Sequence, residues 1–565
     1  MYSRTFSVAA LVALFSGVWY YAVDPGSEKA SLITSTTGTS RSNPSQPSGT
    51  FVPVDARSAT PRVPTGPGEA PAQSPRKALV VEDDQFYTHD ILDDAPLSKE
   101  TGAQGQQQLE MLTPEQATEK LRRNQESWLV GRGRGVVRYD VVQIPSNNPI
   151  EDDHAEKIVE VPQTVTPAES GSPSSDWMFW GVFDGHSGWP TSAKLRQVLI
   201  SFVARELNQT YKSALTDPAI NIPTPSAIDA AIKKGFTLLD HEIVHESVEK
   251  VISSNTKRAA AELLAPALSG SCALLSFYDS KSKLFRVACT GDSRAILGRR
   301  GSNGRWTATA LSEDQTGGTP SEIARLQAEH PGEQYVVRNG RILGALEPSR
   351  AFGDASYKWS RETQERIKKY FLGRTPSALL QTPPYVTAEP IVTTTKIEPE
   401  KGDFVVMATD GLWEFLSNEE VVGLVGQWLE SQPPSSTPSA SGSSWPKSWF
   451  STAASSGLPV ENPNSEQAGL GQRGPIRQYS TAKNSNERFV TEDKNAATHL
   501  VRNALGGKDR DMVCALLTLP SPYSRRYRDD LTVEVIFFGD AQGDGNVVQN
   551  REASTSAGDG IKAKL

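Results

Sequence analysis

The chain has 565 residues, of which 37% are hydrophobic and 22% are charged, so it holds enough apolar material for one large core or two ordinary ones. Its formal net charge of -8 argues against a nucleic-acid-binding protein, because no long basic face is available to neutralise phosphates. The three cysteines are odd in number and lie in apolar stretches, which argues against a disulfide framework and favours a reducing compartment.

The amino terminus carries an apolar segment that allows three interpretations. Residues 7–23 are uncharged, end in aromatic residues typical of a membrane interface, and are close to the lower length limit of a transmembrane helix. A membrane anchor, a cleaved targeting peptide and a buried helix all fit, so residues 1–25 are assigned to a targeting or anchor segment. Residues 26–111 are expected to form a disordered or loosely ordered linker, since much of this stretch is rich in Ser, Thr, Pro and Gly.

The catalytic domain is expected to span residues 112–540. Thr113 is followed by a proline at the first helical position and by Gln116, a pattern that predicts a helix start. Apolar residues recur at helical spacing over residues 190–207 and 226–251, which predicts two longer helices.

Later in the chain, a hairpin is predicted from residues 272–278 and 284–290, with a third strand at 295–299. The Ser-, Pro- and Gly-rich stretch 435–486 predicts a disordered insertion between two helices, and residues 541–565 a disordered tail. Because the strands are joined by hairpins and do not alternate regularly with helices, the sequence predicts an α+β fold. This fold is an antiparallel β-sandwich flanked by helices on both faces.

Several acidic residues lie close to the ends of the predicted strands. They are Glu151, Asp152, Asp184, Asp292, Asp410 and Asp529. A packed sheet fixes such carboxylates while leaving their tips at the rim, and Mg²⁺ and Mn²⁺ prefer oxygen ligands of this kind. The sequence therefore predicts a metal centre at one end of the sandwich, between the sheets, where these distant residues converge.

Six motifs follow one another along the chain: GVFDGHSG, SGSCALLSF, CTGDSRAILG, LGALEPSRAFGD, MATDGLWEFLSNEE and YRDDLTVEVIFF. In these motifs and in their order, the sequence resembles the metal-dependent serine/threonine protein phosphatases of type 2C. The resemblance covers residues 112–539 apart from the insertion. The segments LTPEQ, NNPIED, RAFGDASYKW, NAATHLVRNALGG and YRDD are similar to the mitochondrial pyruvate dehydrogenase phosphatase branch of that family.

This resemblance implies a metal centre with two Mg²⁺ or Mn²⁺ ions. Asp184 would bridge the two ions, and the carbonyl oxygen of Gly185 would complete one coordination sphere. Asp410 and Asp529 would hold one ion, whereas Glu151 would hold the other through water. A water activated between the ions would then attack phosphorus in line.

The resemblance also implies roles for residues around this centre. Asp152 matches an acidic neighbour that belongs to the metal cluster. Asp292 matches the ligand of a third, weaker ion, and Glu414 stands where the family often has a second aspartate. His186 resembles the general acid that protonates the departing serine or threonine oxygen, a role that suits a group with a pKa near neutrality.

One position departs from the wider family. Asn147 occupies the place, four residues before Glu151, where a phosphate-binding arginine is expected. An amide can donate a hydrogen bond to phosphate but carries no charge, so another cation must compensate. Arg350 and Arg341 are the candidates.

Two other functions are weighed against phosphatase activity. Residues 241–245 read HEIVH, which matches a zinc metalloprotease motif, but no third ligand pattern follows, so the polar face of an amphipathic helix is expected. A catalytically dead phosphatase-fold binding protein would have lost metal ligands, whereas Asp184, Asp410 and Asp529 are present.

By resemblance, the expected reaction is hydrolysis of phosphoserine and phosphothreonine on the alpha subunit of pyruvate dehydrogenase. A type 2C phosphatase with a different substrate remains an alternative. The expected location is mitochondrial, in the matrix or at the inner membrane, with an anchor through residues 7–23 left open. The expected partner is the pyruvate dehydrogenase complex, and no nucleic acid is expected.

Overall fold

The computed structural model describes residues 76–82, 85–91, 107–161, 175–216, 222–371, 373–432, 457–461, 472–476, 488–539 and 545–555. Two antiparallel sheets dominate them. From edge to edge, the five-stranded sheet contains β17 (Ile391–Lys396), β11 (Leu284–Thr290), β10 (Ala273–Asp279), β7 (Ser175–Phe183) and β6 (Asp153–Val161). The seven-stranded sheet contains β13 (Trp306–Ala310), β12 (Arg294–Arg300), β18 (Phe404–Ala408), β19 (Leu531–Phe538), β5 (Val136–Ile144), β4 (Gln125–Val130) and β20 (Val547–Gln549).

The side chains of β7 show how the two sheets form a sandwich. Met178, Trp180 and Val182 belong to the core between the sheets, together with residues of β18 and β19. Phe179 and Phe183 alternate with them and pack against helices on the other face of the sheet. Because successive side chains of a strand point to opposite faces, a strand that is covered on both sides reads as a continuous apolar run.

Helices cover the outer faces of both sheets. The helices are α1 (Pro114–Arg122), α2 (Pro190–Thr216), α3 (Pro225–His241), α4 (Ser247–Ser254), α5 (Lys257–Leu263), α6 (Ala265–Leu268), α7 (Pro320–Glu329), α8 (Arg361–Phe371), α9 (Asp410–Trp413), α10 (Asn418–Ser431), α11 (Ala496–Ala504) and α12 (Arg510–Thr518). Helices α2 and α3 pack on the five-stranded sheet, whereas α10 and α11 pack on the seven-stranded sheet. The predicted fold, an antiparallel sandwich with helices on both faces, is confirmed.

Three smaller sheets complete the described structure. They contain β1 (Lys77–Glu82), β2 (Gln85–Asp90) and β3 (Gln107–Glu110); β8 (Gly185–His186), β9 (Gly270–Ser271) and β16 (Phe352–Gly353); and β14 (Val337–Arg338) with β15 (Arg341–Ile342). The sheet of β8, β9 and β16 matters for the site, because it joins the residues that directly follow β7 to the loop after residue 351.

The folded part extends further in both directions than the sequence predicts. Strands β1 to β3 lie within the predicted linker 26–111, and Ala78 and Leu79 are fully buried. Strand β20 lies within the predicted tail 541–565 and pairs with β4, while Ala553 is buried. Strands β1 and β20 carry apolar residues of their own, and these short segments gain their order by pairing with strands or packing against the domain.

Parts of the predicted insertion 435–486 are also ordered. Val460 forms a parallel bridge with Trp306 and joins the helical core of the seven-stranded sheet. The backbone of Arg473 donates to Asp314 Oδ2 at 2.9 Å, and its carbonyl accepts from Arg294 Nη2 at 2.9 Å. The composition of the insertion did not reveal these two contact points, because each depends on partners elsewhere in the fold.

Two elements differ from the predicted ones in informative ways. The third strand of the predicted hairpin group, β12, leaves the sheet of β10 and β11 and pairs with β18 in the opposite sheet. The predicted helix 226–251 is divided into α3, a π-helical turn at Glu242–Glu246, and α4. The apolar residues 7–23 lie outside the described residues. Within the described part of the chain, no helix has both the length and the apolar character needed to cross a membrane.

Candidate metal centre

Three aspartates from different strand ends meet between the two sheets. Asp184 directly follows β7, Asp292 follows β11, and Asp410 follows β18 as the first residue of α9. One carboxylate oxygen of each lies within 4.8 Å of the other two. Burial, and then repulsion among the carboxylates, raises the pKa values of Asp184 and Asp410 well above their ordinary range, and burial raises the pKa of Asp292 to about 6. The pocket is therefore strongly favourable for a cation.

Asp529 lies at the edge of this cluster. Its negative charge contributes to the raised pKa values of Asp184 and Asp410, although burial and nearer carboxylates contribute more. Its Oδ1 atom accepts a hydrogen bond of 2.8 Å from the backbone of Asp530, and its Oδ2 atom lies 3.7 Å from Arg525 Nη2. The structure thus brings Asp529 beside the three central aspartates but outside the group whose oxygens lie within 4.8 Å.

Asp530 organises the loop that carries Glu151, a role that sequence reasoning missed. Its Oδ1 atom accepts from the backbone N–H groups of Ser146 at 2.5 Å and Asn147 at 2.9 Å. Its Oδ2 atom accepts from Asn147 Nδ2 and from the Glu151 backbone, both at 2.9 Å. The doubled aspartate of YRDD is visible in the sequence. The neighbouring residues do not show, however, which aspartate binds backbone N–H groups of a loop and which could bind a metal. The side-chain amide of Asn147 therefore donates to Asp530 in this structure.

Glu151 presents a carboxylate oxygen with no protein donor. Its Oε2 atom is buried and receives no hydrogen bond from the described residues. Burial raises its pKa, and Asp530 adds to this effect while the positive charge of Arg525 opposes it. The carbonyl of Glu151 lies so close to Gly185 that a Cβ atom there would be 2.0 Å from it, so only glycine fits. The backbones of Glu151 and Gly185 are therefore closely packed beside the pocket.

Asp152 is held in place by hydroxyl groups of the protein. It is buried, and its Oδ2 atom accepts hydrogen bonds from Thr409 Oγ1 at 2.9 Å and from Thr532 Oγ1 at 2.8 Å. Thr409 directly follows β18 and precedes Asp410, and Thr532 lies in β19, two residues after Asp530. Burial, followed by repulsion from Asp530, raises the pKa of Asp152 well above its ordinary range. Asp152 directly precedes β6 and therefore links that end of the five-stranded sheet to the seven-stranded sheet.

His186 is paired with an aspartate that sequence reasoning did not select. Its Nε2 atom lies 2.6 Å from Asp354 Oδ2, and the two side chains are 20% and 7% exposed. Burial alone would lower the pKa of His186, but the negative charge of Asp354 outweighs it and the pKa is raised. Gly270 lies beneath the pair, where a Cβ atom would come within 2.1 Å of the imidazole. Asp354 is the last residue of the quoted motif LGALEPSRAFGD, so its signal lay in the sequence.

The arginines predicted to replace the missing phosphate ligand are engaged elsewhere. Arg350 donates through Nε at 3.1 Å and Nη2 at 2.8 Å to Glu322 Oε1. Arg341 pairs with Glu347 and donates to the carbonyl of Ala345 at 3.0 Å. Carboxylates already bind both guanidinium groups, so the structure gives neither arginine a contact with the metal centre, and their compensation for Asn147 stays a prediction.

The HEIVH segment does not form a metal site in the described structure. His241 ends α3 and His245 lies in the π-helical turn, with ring centroids 5.2 Å apart. Glu242 pairs with Lys194 at 3.0 Å, and the two histidines belong to no group of three or more chelating side chains among the described residues. The expected amphipathic helix face accounts for this segment, since Phe236, Leu239 and Ile243 are buried.

The donor set at the strand ends fits hard divalent cations. It consists of carboxylate oxygens, which suit Mg²⁺ and Mn²⁺ better than soft metals. The buried Glu151 oxygen without a donor and the raised pKa values of the aspartates both indicate negative charge that the protein alone does not neutralise. The residues present therefore fit a metal-dependent enzyme.

Comparison with known proteins agrees with this chemistry. A family model for protein phosphatase 2C matches residues 156–441. A mitochondrial pyruvate dehydrogenase (acetyl-transferring) phosphatase 1 of Saccharomyces cerevisiae is 42% identical, over 81% of this chain and 79% of that protein. A protein phosphatase 2C homolog of Schizosaccharomyces pombe is 45% identical over 72% of this chain and 81% of its own length, and the pyruvate dehydrogenase phosphatase 1 of Bos taurus is 30% identical over 76% and 83%. The chain belongs to the protein phosphatase 2C family of protein serine/threonine phosphatases and is close in sequence to the mitochondrial pyruvate dehydrogenase phosphatases.

Proposed function

We propose that this protein removes phosphate from phosphoserine and phosphothreonine on the alpha subunit of pyruvate dehydrogenase, in the mitochondrial matrix or at the inner membrane. The Saccharomyces cerevisiae and Bos taurus relatives are named mitochondrial pyruvate dehydrogenase phosphatases, and these names support pyruvate dehydrogenase as the substrate and the mitochondrion as the location. The observation that carries the proposal is the convergence of the Asp184, Asp292 and Asp410 carboxylates within 4.8 Å in a chain of this family. A phosphatase-fold protein without activity is disfavoured, because these carboxylates are all present.

The proposed ligand roles rest on the resemblance to the family and on the convergence of the acidic groups. Asp184 would contact two ions, together with the Gly185 carbonyl. Asp410 and Asp529 would hold one ion, and Glu151 the other. These ions would be Mg²⁺ or Mn²⁺, and a third would be held by Asp292.

Two such ions, when bound, supply a nucleophile by lowering the pKa of a water and neutralise the charge of the phosphoryl group. The protein contributes rigid positions for the ligands. Asp152 fixes its loop to Thr409 and Thr532, and Asp530 fixes the backbone of Asn147 and Glu151. These contacts hold the acidic groups in place against their mutual repulsion.

In this proposal, His186 donates a proton to the leaving serine or threonine oxygen. Asp354 contacts Nε2 at 2.6 Å, fixes the orientation of the ring and favours its protonated form. The opposite ring nitrogen, Nδ1, then remains to donate toward the substrate. Asp354 acts through His186 and is a positioning residue.

Arg525 is the best candidate for the cation that compensates for Asn147. Its side chain is 45% exposed, its Nη2 atom lies 3.7 Å from Asp529 Oδ2, and its charge reaches Glu151. Arg525 is therefore partly exposed to solvent and lies beside Asp529, at the edge of the acidic cluster.

The proposal is tested with the full-length protein and phosphorylated pyruvate dehydrogenase complex in the presence of Mn²⁺. The wild type should release phosphate from the alpha subunit, and the Asp184→Asn variant should not. Activity that persists in Asp184→Asn contradicts the metal mechanism. If phosphorylation of the alpha subunit is unchanged in cells that lack the protein, the proposed substrate is wrong. That result does not contradict the assignment as a phosphatase.

A further inference from the structure

A second group of chelating side chains lies between the sheets, apart from the acidic residues described above. His154 and Glu156 lie on β6, and Glu534 lies on β19. His154 Nδ1 is 2.5 Å from Glu156 Oε1 and 4.0 Å from Glu534 Oε1, and one ligand atom of each residue lies within 4.8 Å of the others. The three residues therefore join the edge strand of the five-stranded sheet to a central strand of the seven-stranded sheet.

The register of the strands shows that Glu534 points into the sandwich. Its partners across the sheet, Val141 and Met407, both belong to the core between the sheets. Thr532, which supports Asp152, precedes it on the same face of β19, so Glu534 lies about 7 Å further along the strand. The group thus forms a separate layer directly beneath the acidic centre.

Glu534 is the observation that points to a bound cation. Its side chain is 0% exposed, and no N–H or hydroxyl group of the described residues donates to either carboxylate oxygen; the polar group against it is the carboxyl of Glu156. Burial raises its pKa well above the ordinary range, and repulsion from Glu156 raises it further. A buried carboxylate without a donor is costly unless a cation accompanies it.

Among the described residues, the surroundings of Glu534 are mainly negative. The positive charge within reach is that of His154, whose pKa burial lowers but Glu156 raises further, so that the net shift is upward. Glu126 and Glu156 both raise the pKa of Tyr139, after the larger effect of burial, which places their charges close to this layer. The imidazole of His154 is the basic side chain within ligand distance. Two close carboxylates facing one imidazole leave the layer short of positive charge.

We propose that His154, Glu156 and Glu534 bind one divalent transition-metal ion of the Zn²⁺ type, through Nδ1 and two carboxylates. An imidazole ligand suits Zn²⁺ and is uncommon for Mg²⁺ or Ca²⁺, so this site differs in preference from the all-oxygen centre above it. A tetrahedral zinc site separates its ligand atoms by about 3.3 Å, which lies between the 2.5 Å and 4.0 Å observed here. The ion fastens β6 to β19 and is a structural support for Asp152.

The test measures zinc that remains with the full-length protein after dialysis against excess Mg²⁺, which competes at the all-oxygen centre. The wild type should retain one Zn²⁺ per chain. Glu534→Gln, which preserves shape, should retain none. Asp184→Asn should retain it, because that variant changes only the acidic centre. Glu160→Gln, on the same strand β6 with a largely exposed side chain, is the matched control and should also retain it.

A second measurement keeps the proposal falsifiable if Glu534→Gln does not fold. Co²⁺ added to the wild type in excess Mg²⁺ should produce visible absorption bands of a low-symmetry site with a nitrogen ligand, and Zn²⁺ should remove them. His154→Gln should abolish these bands. The proposal is overturned if the wild type retains no zinc, if Glu534→Gln and His154→Gln bind as the wild type does, or if Asp184→Asn alone abolishes binding. A wild type without metal would mean that Glu156 and Glu534 share a proton.

Discussion

The pairing of His186 with Asp354 allows a prediction about one step of the reaction. Asp354→Asn keeps the size of the side chain but removes the negative charge that lies 2.6 Å from His186 Nε2. If His186 donates the proton to the leaving oxygen, this variant should slow phosphoester cleavage without preventing substrate binding. The effect should depend on how much the leaving group needs that proton.

The magnitude follows from the contact and from its surroundings. General acids contribute about 10²–10⁴-fold to enzymatic rates, and the variant removes the charge that orients and protonates the acid while keeping the imidazole itself. Asp354 is only 7% exposed, so water cannot easily replace it, but an asparagine can retain a hydrogen bond. We therefore expect kcat to fall by roughly 10- to 100-fold, or about 1.4–2.7 kcal/mol in the barrier.

The assay compares two substrates of the same protein. Phosphoserine peptides have a poor alkoxide leaving group, whereas p-nitrophenyl phosphate releases an acidic phenol that needs little protonation. Asp354→Asn and Gly270→Ala, whose added methyl group would displace the pair, should both lose kcat on the peptide and little on the aryl phosphate. Glu362→Gln, at an exposed position of α8, is the control. Equal losses on both substrates would refute the proton-donor reasoning.

Three further predictions concern charge. Arg525→Ala should raise the KM for phosphopeptides by roughly tenfold with kcat little changed, whereas Arg526→Ala, its exposed neighbour, should not, and steady-state kinetics checks both. Asp184→Asn should abolish activity but raise the free energy of unfolding of the metal-free protein by roughly 1–3 kcal/mol, measured by urea denaturation, because it relieves a carboxylate whose pKa is raised in the folded state. Burial lowers the pKa of His499 from 6.5 to about 4, so the unfolded chain takes up its proton first. The free energy of unfolding should fall by about 3 kcal/mol as the pH drops from about 6.5 to 4. His499→Gln should remove this loss, and denaturation of both proteins at several pH values checks it.

The sequence was most informative where chemistry and strand pattern coincided. Asp184, Asp292 and Asp410 each follow a run of apolar residues, and the ends of packed strands do bring their oxygens together. The sandwich itself was predictable because hairpin connections exclude a regular parallel sheet. The sequence did not reveal that β12 belongs to the sheet opposite β10 and β11. The short connection after Asp292 is compatible with pairing to β11 or to β18.

The residues that sequence reasoning missed share one physical property: their roles depend on partners that are distant in the chain. Asp354 is defined by His186, 168 residues away, and Asp530 by the loop at Asn147, 383 residues away. A carboxylate that accepts several backbone N–H groups and one that holds a metal look the same in a sequence. Contacts decide between them.

Charge balance explains why such partners are needed around this centre. The carboxylates gathered around this centre repel one another, so a fold that brings them together must hold each by a contact that outweighs the repulsion. Asp152 is held by two threonine hydroxyls and Asp530 by three backbone N–H groups and the Asn147 amide, whereas Glu151 retains a buried oxygen without any donor. Where the protein supplies donors, the carboxylate is a structural support. Where it supplies none, a bound cation or a proton must balance the charge. The dialysis and Co²⁺ experiments on Glu534, one layer below, distinguish the two.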